Sequence, residues 1–225
     1  MKRREFMPAL VAGGPLWFLD AQAAAFSEAD AASGVRVALE RGVEFAVALL
    51  GKSGGFLDNP KVRIPLPGYL NQAAQGLKLI GQQKRVDELV LAMNRAAEAA
   101  VPEGKAILMN AVKAMSVDDA KRIITGGDTS VTDFFAAKTR QPLSVKFLPI
   151  VTRETEKVGL AEKYNAVAGK AAGMGLLKPQ DANVEQYVTG KTLDGLYLVI
   201  GEEERKIRKD PVGTGSALLA KVFGR

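Results

Sequence analysis

Apolar residues recur at three- and four-residue intervals along most of this chain, and that period predicts helix after helix. From about residue 29 to residue 50, Val35, Leu39, Val43, Val47 and Leu50 share one helical face. Gly51-Lys52-Ser53-Gly54-Gly55 then ends that helix, since glycine tolerates positive φ. Residues 55–68 break the period: Pro60, Pro65 and Pro67 forbid a helix and push their predecessors toward extended geometry. Phe56, Leu57, Val62, Ile64 and Leu66 interleave with them, which predicts a strap pinned onto the helical body. The helical period resumes over about residues 69–80, and again over 84–100 with Val86, Leu89, Val90, Met93 and Ala97 on one face.

Pro102 suits the first turn of a further helix, reaching about Met115. Ser116-Val117-Asp118-Asp119 and Ser130-Val131-Thr132-Asp133 both read as a hydroxyl N-cap with an acid three residues on, each opening a short helix. A long amphipathic segment follows over about residues 143–172, with Phe147, Val151 and Val158 inward. The last strong helix spans about residues 191–209 before Pro211, and a small one closes the chain at 216–223. No strand-like alternation of useful length and no solenoid-type repeat occurs. The expected fold is all-α: a compact bundle of about seven to nine helices with a proline-rich strap at about residues 55–68.

The first residues break this picture and read as an address. Lys2, Arg3 and Arg4 form a basic head, a mildly apolar stretch follows from Met7 to Leu19, and Ala21-Gln22-Ala23 supplies a small-x-small cleavage pattern. The apolar run is shorter than the ~20 residues that span a bilayer, so a removable signal is expected and a transmembrane anchor is not. Arg3-Arg4-Glu5-Phe6-Met7 resembles a twin-arginine export signal, departing from it at Lys2 and Pro8; the general secretory route is the other possibility. The expected organisation is a cleavable signal over residues 1–23 and one helical domain over 24–225, periplasmic or secreted. With no cysteine in the chain a lipobox cysteine is missing, and a soluble mature protein is expected in place of a lipid-anchored one.

Composition narrows the chemistry. The chain has 225 residues, 47% hydrophobic and 25% charged, with no histidine and no cysteine. A Ser-His-Asp triad, histidine metal ligands, thiolate nucleophiles and disulfides are thereby excluded. Carboxylates, lysines, hydroxyls and backbone remain, and neither a cofactor nor a metal site is indicated. The net charge of +6 suits polyanions, yet a modest excess is equally a matter of solubility, and no specific nucleic-acid site is indicated.

Two motif-like stretches fail on context, and a third pattern does not occur. Ala46 to Ser53 matches a relaxed phosphate-loop pattern but lies at the end of an apolar helix, not between strand and helix. Asp181-Ala182-Asn183-Val184-Glu185 imitates a calcium loop but has Gln186 where glycine belongs, and reads better as a helix start. No serine has lysine three residues on.

The richest segment is residues 193–208. Extending its stripe of Leu193, Leu196 and Ile200 by helical steps lands on Glu203 or Glu204 and then Ile207, so one glutamate is expected at or inside the core. A buried carboxylate needs a cation, and Arg95 or Arg63 is the expected partner. The functional reading of such a group is a general acid or base, and the plainer one an ion pair fixing helix register.

The strap Gly55-Phe56-Leu57-Asp58-Asn59-Pro60 with Val62-Arg63-Ile64-Pro65-Leu66-Pro67, the run Met93-Asn94-Arg95-Ala96-Ala97-Glu98 with Val101-Pro102-Glu103, Phe147-Leu148-Pro149-Ile150-Val151, and Leu193 to Tyr197 with Glu202 to Arg208 occur in a familiar order. Together they resemble the bacterial family called domain of unknown function 4197, over about residues 30–224. The resemblance implies an exported helical protein and assigns no catalytic residue. Gly104 stands where that pattern suggests alanine and lowers helix propensity by about 1 kcal/mol.

The function expected on these grounds is that of a non-catalytic binding or structural and interaction protein, its partner an envelope protein or a small ligand, with Asn59, Arg63, Arg95, Glu203 and Glu204 as candidate binding residues. The alternatives are a carboxylate-dependent hydrolase or lyase built on Glu203 or Glu204, and a basic protein associating with anionic envelope surfaces.

Overall fold

A computed structural model describes residues 28–68, 79, 81, 83–157, 159, 183–210, 212, 213 and 220. The signal Arg3, Arg4, Phe6, Ala21 and Ala23, and most of the helices expected at 69–80 and 216–223, lie outside the described residues. Among the described residues the helices are α1 (Glu28–Leu50), α2 (Gln83–Ala100), α3 (Lys105–Lys113), α4 (Val117–Thr125), α5 (Ser130–Glu156) and α6 (Val184–Lys209), with a 3-10 turn at Val101–Gly104. No strand occurs among them, so the all-α expectation holds. Six α-helices and one 3-10 turn occur among the described residues, which do not by themselves support the seven to nine helices expected; residues 158 and 160–172 of the long segment expected at 143–172 lie outside them.

Part of the difference lies in α5, one helix where a short helix and a separate long one were expected. Pro142 and Pro149 sit inside it. Each removes a backbone N–H and frees the carbonyl four residues earlier, at Lys138 and Val145. Both prolines and both of those residues are solvent-exposed, so water can take the freed carbonyls. The buried residues of α5 include Val131, Phe135, Thr139, Leu143, Phe147, Val151 and Thr155, one every fourth position. At 3.6 residues per turn each such step overshoots a full turn by about 40°. The apolar line therefore winds around α5 and meets α4, α6, α3, the 3-10 turn and α2 in different places.

The other long helices enclose one core. α6 lies against both α1 and α5, and the short α3 and α4 cover α1. Phe56, Phe135, Phe147, Leu39, Leu50 and Leu193 are among its largest fully buried side chains. Phe135 stacks on Tyr197 with ring centres 6.3 Å apart. The Tyr197 hydroxyl lies 2.9 Å from that of Thr139, which joins α5 to α6 inside the core. Burial pushes the Tyr197 phenol above its ordinary range, with Thr139 and Arg140 pulling the other way.

Helix ends follow local chemistry. Ser116 caps α4 with the reciprocal bonds expected: its hydroxyl accepts the Asp119 N–H at 3.0 Å, and the Asp119 carboxylate accepts the Ser116 N–H at 3.1 Å. Asn183 caps α6 by accepting the Gln186 N–H at 2.9 Å, so the described part of the calcium-like stretch, from residue 183, is a helix start and α6 begins well before residue 191. The second expected cap fails. α5 starts at Ser130, and the Ser130 hydroxyl donates to the Ile123 carbonyl at 3.2 Å instead of capping its own helix. Gly104 does not weaken a helix interior, because it closes the 3-10 turn. A Cβ there would stand 2.7 Å from the Phe147 ring and 2.9 Å from a Leu143 methyl, so glycine lets the turn settle onto α5.

The α4 cap yields a prediction. Ser116→Ala should cost about 1 kcal/mol in denaturant unfolding at neutral pH. Partial burial pushes the Asp119 carboxyl up, but the Ser116 N–H and hydroxyl together with Lys138 and Arg122 hold it below its ordinary range. The carboxylate's contribution is therefore complete above the ordinary aspartate range and is lost as pH falls through the lowered value. Unfolding curves of Asp119→Asn should converge on those of the native chain in acid and fall below them at neutral pH.

Candidate functional site

The strap is the least self-sufficient part of the backbone. Three prolines donate nothing, and no helix or sheet ladder serves the remaining peptide groups. It leaves α1 through Gly54, whose φ of 83° lies in the left-handed region, and turns at Asn59. The Asn59 carbonyl accepts the N–H groups of Val62 and Arg63 at 3.2 and 2.8 Å, and its side-chain oxygen accepts that of Lys61 at 3.2 Å. From residue 62 the chain alternates as an extended segment does, with Val62 and Ile64 buried and Arg63 and Pro65 exposed.

Two buried polar side chains of α2 hold it there. The Asn94 amide behaves as a short piece of strand: its Oδ1 accepts the Ile64 N–H at 2.9 Å and its Nδ2 donates to the Ile64 carbonyl at 2.9 Å. The second Nδ2 hydrogen goes to the Val90 carbonyl at 2.8 Å. One turn on, Glu98 is only 4% exposed. Its Oε1 accepts the N–H groups of Phe56 and Leu57 at 3.1 and 3.2 Å, and its Oε2 takes the Arg95 guanidinium at 2.6 Å. Close approach does the rest. A Cβ on Gly195 of α6 would lie 3.0 Å from the Phe56 ring and 3.1 Å from the Val62 Cβ. A Cβ on Gly51 would lie 2.9 Å from Pro102. Lys61 reaches Glu202 of α6 at 2.9 Å, and the Tyr187 hydroxyl donates to the Pro65 carbonyl at 3.1 Å.

The five candidate residues do not form one cluster. Asn59 builds the strap turn, and Arg63 points outward from the strap. Arg95 is committed to Glu98. Of the two glutamates the stripe pointed to, Glu204 is the buried one, at 2% exposure, but its partner is Arg208, one turn along the same helix, and not Arg95 or Arg63. Arg208 donates to Glu204 through Nε at 3.0 Å and Nη2 at 2.7 Å, and also to the carbonyls of Ile123 and Ile124 at the end of α4. Glu203 pairs with Lys206 at 3.1 Å on the helix surface. Sequence reasoning missed Asn94 and Glu98 as a working pair. The available signal was their four-residue spacing, each one place past an apolar stripe residue, Met93 or Ala97.

Clefts among the described residues include two between helices. One, of about 390 Å³, lies between α2 and α5 beside Leu91, Arg95, Glu154 and Lys157. There the Lys157 ammonium, opposed by partial burial, holds the Glu154 carboxyl below its ordinary range. The other, of about 700 Å³, lies between α5 and the first turns of α6. Neither is lined by Arg63, Glu203 or Glu204. Among the described residues no three carboxylates gather as a metal site would require. No described helix is long and apolar enough to cross a membrane.

A family model described as a protein of unknown function, DUF4197, matches residues 25–224. The chain belongs to that family. No curated protein and no solved structure matches it. In this DUF4197 protein the motifs that carry the family resemblance largely meet at the strap. Asn94, Arg95 and Glu98 clasp it, Pro102 lies under Gly51, Gly195 admits Phe56 and Val62, and Glu202 takes Lys61.

Removing a clasp residue should expose this dependence. Asn94→Ala leaves a buried N–H and two carbonyls without their partner, and we expect a loss of about 2–4 kcal/mol in unfolding free energy. Amide hydrogen exchange should quicken at Ile64 in that variant, and at Phe56 and Leu57 in Glu98→Ala. Unchanged exchange at those amides would refute the clasp.

Proposed function

We propose that this DUF4197 protein is exported, loses residues 1–23, and acts as a single helical domain that binds a partner through the outward face of its strap, without catalysis. One observation carries the reading. The strap's inward hydrogen bonds are made within the fold, so Asp58, Pro60, Lys61, Arg63 and Pro65 stand exposed on a segment that is already ordered. A preorganised segment loses little conformational entropy when a partner docks. Arg63 makes no ion pair among the described residues and is the natural centre of such a contact.

The hydrolase or lyase reading draws less support. Glu204 is occupied in placing Arg208 on the end of α4, Glu203 is paired with Lys206, and neither borders a described cleft. Association with anionic envelope surfaces rests on the net charge of +6, or +5 once residues 1–23 are removed.

Export and binding are tested separately. Mass spectrometry of the cell-derived protein should find a mature N-terminus at Ala24, and unprocessed protein retained inside the cell would refute export. Loss of export in the double variant Arg3→Lys, Arg4→Lys would favour the twin-arginine route. For binding, a photo-crosslinking residue placed at position 63 should give a discrete adduct in intact cells, whereas one at position 153 on α5 should not. Equal labelling from both positions would sink the strap assignment.

A further inference from the structure

The larger cleft, between α5 and the first turns of α6, has features that the core and the strap do not use. Its α5 wall presents Val145, which is 71% exposed, and Leu148, which is 36% exposed. Two cations stand at its edge and differ in commitment. Arg140 is neutralised by Asp194 at 2.7 Å and stands over the Tyr197 ring. Lys191 forms no ion pair among the described residues, and its ammonium stands 5.8 Å from the centre of the Tyr187 ring. In the cleft wall, Thr189 is only 4% exposed, and its hydroxyl has no hydrogen-bond partner among the described residues. A buried hydroxyl left unbonded is costly, and native structures leave few. The cleft's volume of about 700 Å³ falls in the range of small-molecule sites.

From these we infer that the cleft binds a monovalent anionic amphiphile, an aliphatic carboxylate whose head lies on Lys191 with Thr189 beneath it and whose chain lies along Val145 and Leu148. Charge selects the valence. One uncommitted ammonium balances one negative charge, and the nearby Asp194 carboxylate disfavours a dianion. Chemistry selects the body, since the two exposed apolar residues of the α5 wall, Val145 and Leu148, are both aliphatic. The site is separate from the strap's outward face, and the inference does not rest on the binding role given to that face.

Two sources share a single negative charge on an aliphatic chain, a free fatty acid, which is the carboxylate inferred here, and an anionic phospholipid in a bilayer, and the experiment has an arm for each. The probes are octanoate, octanol of equal chain length, and phosphatidylglycerol vesicles, with binding followed through backbone amide shifts of the full mature chain. Octanoate should move the amides of Val145, Thr189 and Lys191 saturably, and octanol should bind more weakly. Lys191→Gln should weaken octanoate about tenfold, the loss of one charge-assisted bond. Thr189→Val should weaken it less, and Val145→Asp should abolish it. Lys146→Gln, which removes a neighbouring positive charge paired with Glu103 outside the cleft, should leave it unchanged. Three results would overturn the inference: no saturable shift at these amides, equal octanoate affinity in Lys191→Gln, or binding to vesicles without binding to free octanoate.

Discussion

The structure depends on one constraint, that a proline-rich segment laid across a helical core must find hydrogen-bond partners for its buried peptide groups. Asn94 and Glu98 supply them, and the dependence runs both ways. Glu98 is a carboxylate at 4% exposure, which stands only because two strap N–H groups and the Arg95 guanidinium surround it. Removing the strap would strand the charge, and removing the charge would strand the strap. Glycines at positions 51 and 195 complete the arrangement by letting Pro102, Phe56 and Val62 come within contact distance. The ion pair of Lys61 with Glu202 adds little, since Lys61 is largely in water.

The same device recurs at the other helix ends. Arg36 donates to the Met115 carbonyl at 2.6 Å, Arg205 to that of Asp128 at 2.7 Å, and Arg208 to those of Ile123 and Ile124. Guanidinium groups from α1 and α6 thereby serve carbonyls that end α4 or lie between the helices, and at Ile123 and Ile124, in the last turn of α4, the helix dipole also favours a cation. Glu204 fits this scheme as the group that aims Arg208. A chain without cysteine cannot tie its irregular segments by disulfides, and here long polar side chains bond the backbone directly.

Some of this was legible in the sequence and some was not, for reasons that can be named. α1, α2 and the strap were legible because Val35, Leu39 and Val43, or Val86, Leu89 and Met93, keep one face, while three prolines mark the interruption. The unity of α5 was not, because its residues buried every fourth position drift around the axis and Pro142 resembles a stop. Glu204 was legible as a buried group from the stripe around it. Its partner was not, because Arg208 lies in the last turn of α6, where a cation complements the helix dipole whether or not it has a partner. The clasp escaped notice because Asn94 and Glu98 lie beside the α2 stripe, and periodicity records which apolar residues face inward without recording what a neighbouring amide or carboxylate must bond.

What the strap and the cleft share is Tyr187. Its hydroxyl holds the Pro65 carbonyl, while its ring lies near the Lys191 ammonium at the cleft edge. A carboxylate that draws Lys191 toward itself changes the cation–π contact on that ring, and the ring carries the hydroxyl bonded to the strap. The coupling available through one such contact is small, because a ligand shifts an equilibrium only by its difference in affinity for the two arrangements. It is also directional in structure, since Asn94 and Glu98 fix the strap at Ile64, Phe56 and Leu57, on the core side of Pro65. The contact of the cleft with the strap thus falls at Pro65, past the residues that the clasp holds.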